Sequence, residues 1–153
     1  MKKKLMTIAL VCLLALTPFL LVACNSTVNS IPPPTITIPH ITVGEFEETI
    51  KSTHPVVIYF YRPTCQFCQR QEQHLQNLAN TEPKDFDIVR MNMEQATNPA
   101  ENALFGSLRG EDDAVWGVPA FLIFQNGYEL GRFIGLRESK DSLLSAINNI
   151  LEQ

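Results

Sequence analysis

The chain predicts an α/β domain, a mixed central sheet flanked by helices and closed by a β-hairpin plus a final helix. Three observations carry this. The stretch "VVIYFY", residues 56–61, is β-branched or aromatic at every position, the composition of a strand buried on both faces. The runs "FLIF" (121–124) and "ELGRFIG" (129–135) flank Gln125-Asn126-Gly127-Tyr128, and Asn-Gly between two β runs is the strongest short hairpin signal. Around these strands, apolar residues recur at helical spacing.

The elements follow in order. Thr42 and Glu45 have the spacing of a capping box, opening a helix with Phe46 and Ile50 on one face. After the 56–61 strand, a helix is expected from about Cys65 to Asn80, with Cys68, Leu75, Leu78 and Ala79 on one stripe. "FDIVRMNM", residues 86–93, reads as a strand with two competing registers, Phe86-Ile88-Arg90 against Met91-Met93. Asn98-Pro99-Ala100-Glu101 supplies an N-cap, a proline at N1 and a glutamate at N3 for a helix reaching Arg109 and closing at Gly110. Ser139 caps a last helix carrying Leu143, Leu144, Ile147, Ile150 and Leu151 on one side. The expected order is β-α-β-α-β-α-β-β-α, which places helices on both faces of a mixed sheet.

The N-terminus bounds the compartment. Met1-Lys2-Lys3-Lys4 precedes an apolar run from Leu5 to Ala23, so residues 1–23 read as an export signal and stand outside the fold. The run ends Leu21-Val22-Ala23-Cys24, which resembles a bacterial lipobox, where a diacylglyceryl group is attached to the cysteine and cleavage falls just before it. Cys24 is then the lipidated first residue of the mature chain. An uncleaved membrane-spanning anchor is the other reading of so long an apolar run. Both put the remainder outside the cytoplasm, with the lipid anchoring it to the bacterial cell membrane in the first case. Residues 24–40 are Ser/Thr/Pro-rich with the run Pro32-Pro33-Pro34, the composition of a semi-rigid tether. Residues 41–153 then form one domain, long enough to bury a core unaided. The signal takes three lysines with it, moving the net charge from −4 to −7. That balance argues against a nucleic-acid partner and leaves membrane attachment to the lipid, whose two acyl chains suffice.

Of the four cysteines, Cys12 leaves with the signal and Cys24 takes the lipid, so Cys65 and Cys68 remain, in a compartment where disulfides persist. As a structural staple an i,i+3 bridge closes almost no loop and stabilises far less than the ~3 kcal/mol of a loop of about 15 residues. A zinc site generally wants four ligands, and none of His40, His54 and His74 has metal-motif spacing; no metal and no cofactor is expected. Redox chemistry accounts for the position best. A cysteine at a helix N-terminus meets unpaired N–H groups and the positive end of the dipole, which favour thiolate. Cys65 is thus the expected nucleophile, and Cys68, one turn further in, resolves the mixed disulfide. Arg62 either adds positive potential or is a solvated loop residue.

"YFYRPTCQFCQ" and "GVPAFLIFQNGYELGRFIG" together resemble the strand, active-site turn, helix, cis-proline turn and final hairpin of the thioredoxin family, over residues 41–153. The resemblance implies a thioredoxin-like fold and thiol–disulfide exchange with exported protein thiols or disulfides through a Cys65–Cys68 redox disulfide. A reductant would also need a membrane partner to supply electrons. It further implies a cis bond at Val118-Pro119 beside the cysteines, the Val118 backbone open to an extended substrate strand, and Gly135 in the same groove. Trp116 is either a substrate platform or a partly buried loop aromatic. The cysteine motif is also loosely similar to that of thioredoxin-like accessory proteins encoded with bacteriocins. Several positions depart from the family. Tyr59 stands where thioredoxins carry a buried aspartate that helps move the resolving cysteine's proton, and Thr64 replaces a tryptophan. Gln66-Phe67 is neither the Gly-Pro of reducing thioredoxins nor the Pro-His of strong oxidases. Residues 94–116 exceed what the compact core needs and include Glu111-Asp112-Asp113. Two rivals stay open: a redox-inactive binding or chaperone module on the cell surface, and an extracytoplasmic metal chaperone.

Overall fold

The computed structural model of the protein describes residues 36–81, 84–95, 98–109 and 117–153. The signal segment, Cys24, the tether through residue 35, the acidic run and Trp116 lie outside the described residues.

Four strands, β1 (Val56–Tyr61), β2 (Asp87–Asn92), β3 (Ala120–Gln125) and β4 (Tyr128–Ile134), form one sheet in the order β2-β1-β3-β4. β1 runs parallel to β2 and antiparallel to β3, and β3 is antiparallel to β4. The helices are α1 (Val43–Ile50), α2 (Gln66–Ala79), α3 (Pro99–Ser107) and α4 (Lys140–Leu151). One face of the sheet packs Val57, Tyr59, Phe121 and Ile123 against Leu75 and Leu78 of α2 and Leu143 and Ile147 of α4. The other packs Ile58, Phe60, Ala120 and Leu122 against Phe46 and Ile50 of α1 and Phe105 of α3. Because both faces are covered, β1 and β3 are apolar at both parities, which is why neither alternates.

The same cover removes the ambiguity in β2. Phe86 and Ile88 join the α2–α4 layer while Met91 and Met93 join the α1–α3 layer, so both apolar sets are satisfied in one register. Helix entries match their sequence signals: capping boxes at Thr42 and Asn98, and a serine cap at Ser139. The hairpin turn places Asn126 at φ 53° and Gly127 at φ 84°, the left-handed pair a tight turn of this kind requires. Gly131 is needed for a different reason. A Cβ there would lie 3.0 Å from an Ile150 methyl, so glycine lets α4 settle on β4.

The opening strand of the expected order is not formed. Residues 36–41 run beside β2 but make a single parallel bridge, His40 with Arg90. Arg90 N–H donates to Pro39 O at 2.9 Å and Ile41 N–H to Arg90 O at 3.0 Å. Pro39 has no N–H to extend the ladder, and Thr42 already caps α1. The segment nevertheless belongs to the folded unit. Ile38 is only 1 % exposed, Ile36 N–H donates to Asn80 Oδ1 at 2.9 Å, and Gln76 Nε2 donates to Ile36 O at 2.6 Å. The tether expected over residues 24–40 therefore overlaps the domain over 36–40. Ile38→Ala should cost about 2–5 kcal/mol, read as a lower urea midpoint at unchanged slope; a loss under about 0.5 kcal/mol would return this segment to the tether.

Candidate active site

β1 emerges from the core at Tyr61, and Arg62–Thr64 turn the chain into α2. Cys65 N–H donates to Arg62 O at 3.1 Å, and Gln69 Nε2 donates to Pro63 O at 2.9 Å, pinning the turn from both sides. The Thr64 hydroxyl donates to the Glu94 carboxylate, which follows β2. Cys65 is then the N-cap of α2, in extended geometry at φ −79° and ψ 114°. Its Sγ accepts the Cys68 N–H at 3.2 Å, so the sulfur takes the place of a capping oxygen. The Cys65 thiol points to Val118 O at 3.6 Å. Cys65 is half-buried and Cys68 is 2 % exposed; both are free thiols.

Electrostatics separate the two sulfurs. Burial, reinforced by the hydrogen bond with Cys65, pushes the Cys68 thiol up to about 12, while the Arg62 backbone and the Tyr59 hydroxyl pull the other way. Tyr59 lies fully buried beneath it and donates its hydroxyl to Cys68 O at 3.1 Å. Burial and the nearby Cys68 raise the Tyr59 phenol well above its ordinary value. Tyr59 is thus a fixed hydrogen-bond donor to the helix backbone and not an ionised base. Its ring continues a stack, Tyr61 at 5.6 Å and Phe121 at 4.9 Å, with Phe133 at 4.8 Å from Phe121 and the Arg137 guanidinium over Phe133.

The second wall of the site comes from the loop before β3 and the end of β4. The Val118–Pro119 peptide is cis, and Gly135, at φ 96°, donates its N–H to Pro119 O at 2.8 Å. Gln71, fully buried on α2, accepts the Arg137 N–H at 2.7 Å, tying the helix to the loop that carries Gly135. The structure so brings together Cys65, Cys68, Val118, Pro119 and Gly135. Phe67, between the cysteines, is 58 % exposed on the same rim. Sequence reasoning noted Phe67 only as part of an unusual intervening pair and passed over Gln71, Glu72 and Glu94. Spacing alone could have found two of them: Gln71 and Glu72 follow Cys68 at i+3 and i+4, one turn along its face. Phe67 was visible as an apolar residue off the buried stripe, whereas Glu94 meets Thr64 only through tertiary structure. Among the described residues, no group of three His, Cys, Asp or Glu side chains is placed to share a metal ion. His54 instead pairs with Asp87 at 3.2 Å, at the opposite end of β1.

Comparison with known proteins agrees with this geometry. The thioredoxin family profile matches residues 37–149. The thioredoxin of Rickettsia bellii (strain RML369-C) is 25% identical over 103 residues, covering 67% of this chain and 88% of that protein. Among solved structures, thioredoxin f2 of Chlamydomonas reinhardtii superposes with a TM-score of 0.58 at 22% identity, over 74% of this chain and 95% of that one. Thioredoxin from Trypanosoma brucei brucei gives 0.60 at 18% identity, over 80% and 98%. These last two are likenesses of fold.

Two outcomes follow from the site. Tyr59→Phe removes one buried hydrogen bond and should lower stability by about 0.5–1.5 kcal/mol, while exchange rates in a stopped-flow thiol assay stay within about twofold; a much larger loss of rate would make the phenol part of the chemistry. In the reduced protein Cys68 stays protonated to about 12, whereas the unfolded chain releases that proton near the ordinary 9.0. Above pH 9 the unfolded state therefore binds fewer protons, and stability falls as pH rises toward 12. Denaturation midpoints of the reduced protein should show this decline, and Cys68→Ala should remove its share of it.

Proposed function

The chain belongs to the thioredoxin family, and on that premise we propose that it is a thiol–disulfide oxidoreductase of the extracytoplasmic face, held to the membrane through lipid on Cys24. Family membership supports thiol–disulfide oxidoreductase activity in general. The observation that carries the assignment to these sulfurs is their asymmetry: Cys65 caps the helix at a half-buried position, and Cys68 is buried one turn behind it.

Cys65 thiolate attacks a substrate disulfide, forming a mixed disulfide and expelling one substrate thiolate. Cys68 then attacks Cys65 Sγ; the Cys65–Cys68 bond forms, the bond to substrate breaks, and the substrate leaves reduced. Run in reverse, the oxidised pair delivers a disulfide. Helix amides at Cys65 stabilise the charge that develops there in both directions. Val118 presents backbone beside the nucleophile, the arrangement that an extended substrate strand pairs with. Gly135 leaves room along the same wall, and Trp116 is assigned to substrate contact from the sequence alone, as the aromatic two residues before Val118. Substrates on this account are exported proteins with exposed thiols or disulfides.

Cys68→Ser stops the second attack. Expressed with its signal intact, this variant should accumulate mixed disulfides that run as heavier bands on non-reducing gels, and Cys65→Ser should form none. An absence of adducts from Cys68→Ser, with Cys65 alkylatable, would instead favour a redox-inactive binding module. Metabolic labelling with palmitate tests the anchor: Cys24→Ser should lose the label and leave the membrane fraction.

A further inference from the structure

Cys68 must shed its proton to attack, and it sits in a place that resists charge. Tyr59, beneath it, donates to the Cys68 carbonyl, and the pull of its hydroxyl on the thiol is small beside the effect of burial. The residue is not enclosed on every side, however. It borders an open cleft of about 210 Å³ whose walls also include Tyr61, Arg62, Gln69, Glu72 and Arg90. A space of that size holds several waters, since about 30 Å³ is the share of one in the liquid. Glu72 is one helical turn beyond Cys68 on α2, the i+4 position that faces the same way. It brings the carboxylate of the cleft wall, and Arg90 from β2 fixes it with an ion pair of 2.5 Å. The two side chains are 34% and 22% exposed, so the carboxylate is within reach of solvent yet held in place.

We propose that Glu72, held by Arg90, is the proton acceptor and donor for Cys68, acting through the solvent of this cleft. The inference rests on the exchange activity proposed above and assigns the proton step within it. In the forward direction the Cys68 S–H proton passes to the Glu72 carboxylate, and the resulting thiolate attacks Cys65 Sγ, forming the Cys65–Cys68 bond as the bond to substrate breaks. In the reverse direction Cys68 is the leaving group, and the carboxylic acid of Glu72 returns the proton to it. No further oxidant or reductant enters. The other ionisable groups lining this cleft are Tyr61 at the end of β1 and Arg62 in the turn, with His40, in the segment before α1, against Tyr61. The His40 imidazole is pulled down by burial and by Arg90 and packs edge-on to Tyr61 at 5.8 Å.

The experiment uses reduced mature protein and the chromogenic disulfide 5,5′-dithiobis(2-nitrobenzoate) in stopped flow. Attack by Cys65 releases a first thionitrobenzoate, and attack by Cys68 on the mixed disulfide releases a second. Glu72→Gln keeps the shape and a hydrogen bond to Arg90 but cannot take a proton. It should slow the second release about 10²-fold at neutral pH, with the first release unchanged within about twofold. Its second-phase rate should then climb steadily with pH, as free hydroxide replaces the carboxylate. Arg90→Gln frees the carboxylate from its ion pair but leaves it present, so it should slow the second release clearly less than Glu72→Gln does. Equal second-phase rates in wild type and Glu72→Gln across pH overturn the proposal. Equal slowing in Glu72→Gln and Arg90→Gln also overturns it, since the pair would then be structural. A wild-type protein that releases no thionitrobenzoate at all would instead contradict the exchange activity itself.

Discussion

One hydrogen bond organises the site: the Cys68 N–H to the Cys65 sulfur at 3.2 Å. It puts the sulfur where a capping oxygen would be, at the end of a helix whose first amides have no other partner. Everything around it holds that end still. β1, buried along nearly its whole length, fixes where the turn starts, and the contacts of Pro63 and Thr64 fix how it bends. If the helix began one residue later, Cys65 would lose the cap and Cys68 would rotate off the buried stripe.

The two layers of core divide the remaining work. The α2–α4 layer carries the active-site helix, and its aromatic stack runs from Tyr61 through Tyr59 and Phe121 to Phe133. That stack spans the sheet beneath both walls of the site. Movement of β4 against β1 is resisted by ring contacts as well as by the ladder. Gln71 adds a polar tie between α2 and the loop after β4. Rigidity of this kind suits a site whose two sulfurs must meet within one turn of helix.

Much of this was legible in the sequence, and the reasons are local. Capping boxes at Thr42 and Asn98, the Asn126-Gly127 turn and the all-apolar β1 each encode their structure within a few residues. The cysteine spacing encodes its own asymmetry, because a helix N-terminus exposes its first position and buries the one a turn later. What escaped was tertiary. The strand expected ahead of α1 reduces to one bridge because Pro39 cannot continue a ladder, yet Ile38 still enters the core. Composition marked residues 36–40 as tether, and only the packing against Asn80, Gln76 and Arg90 shows otherwise. Glu72 was one of several polar residues on a Gln-rich helix; its partner Arg90 lies on another strand, and no pattern along the chain joins them. Replacement of the family's aspartate by Tyr59 was visible, but its consequence, a phenol committed to a backbone carbonyl, was not.

The claim beneath all of this is that Cys65 and Cys68 form a reversible couple and not an inert bond. Equilibration of the protein with glutathione buffers of graded ratio, quenched with acid and resolved by mass, measures that directly. The account predicts a two-electron transition with a potential between about −120 and −270 mV, the span of dithiols that exchange disulfides for a living. A bond that stays oxidised to below about −300 mV, or thiols that never pair at any ratio, would contradict it.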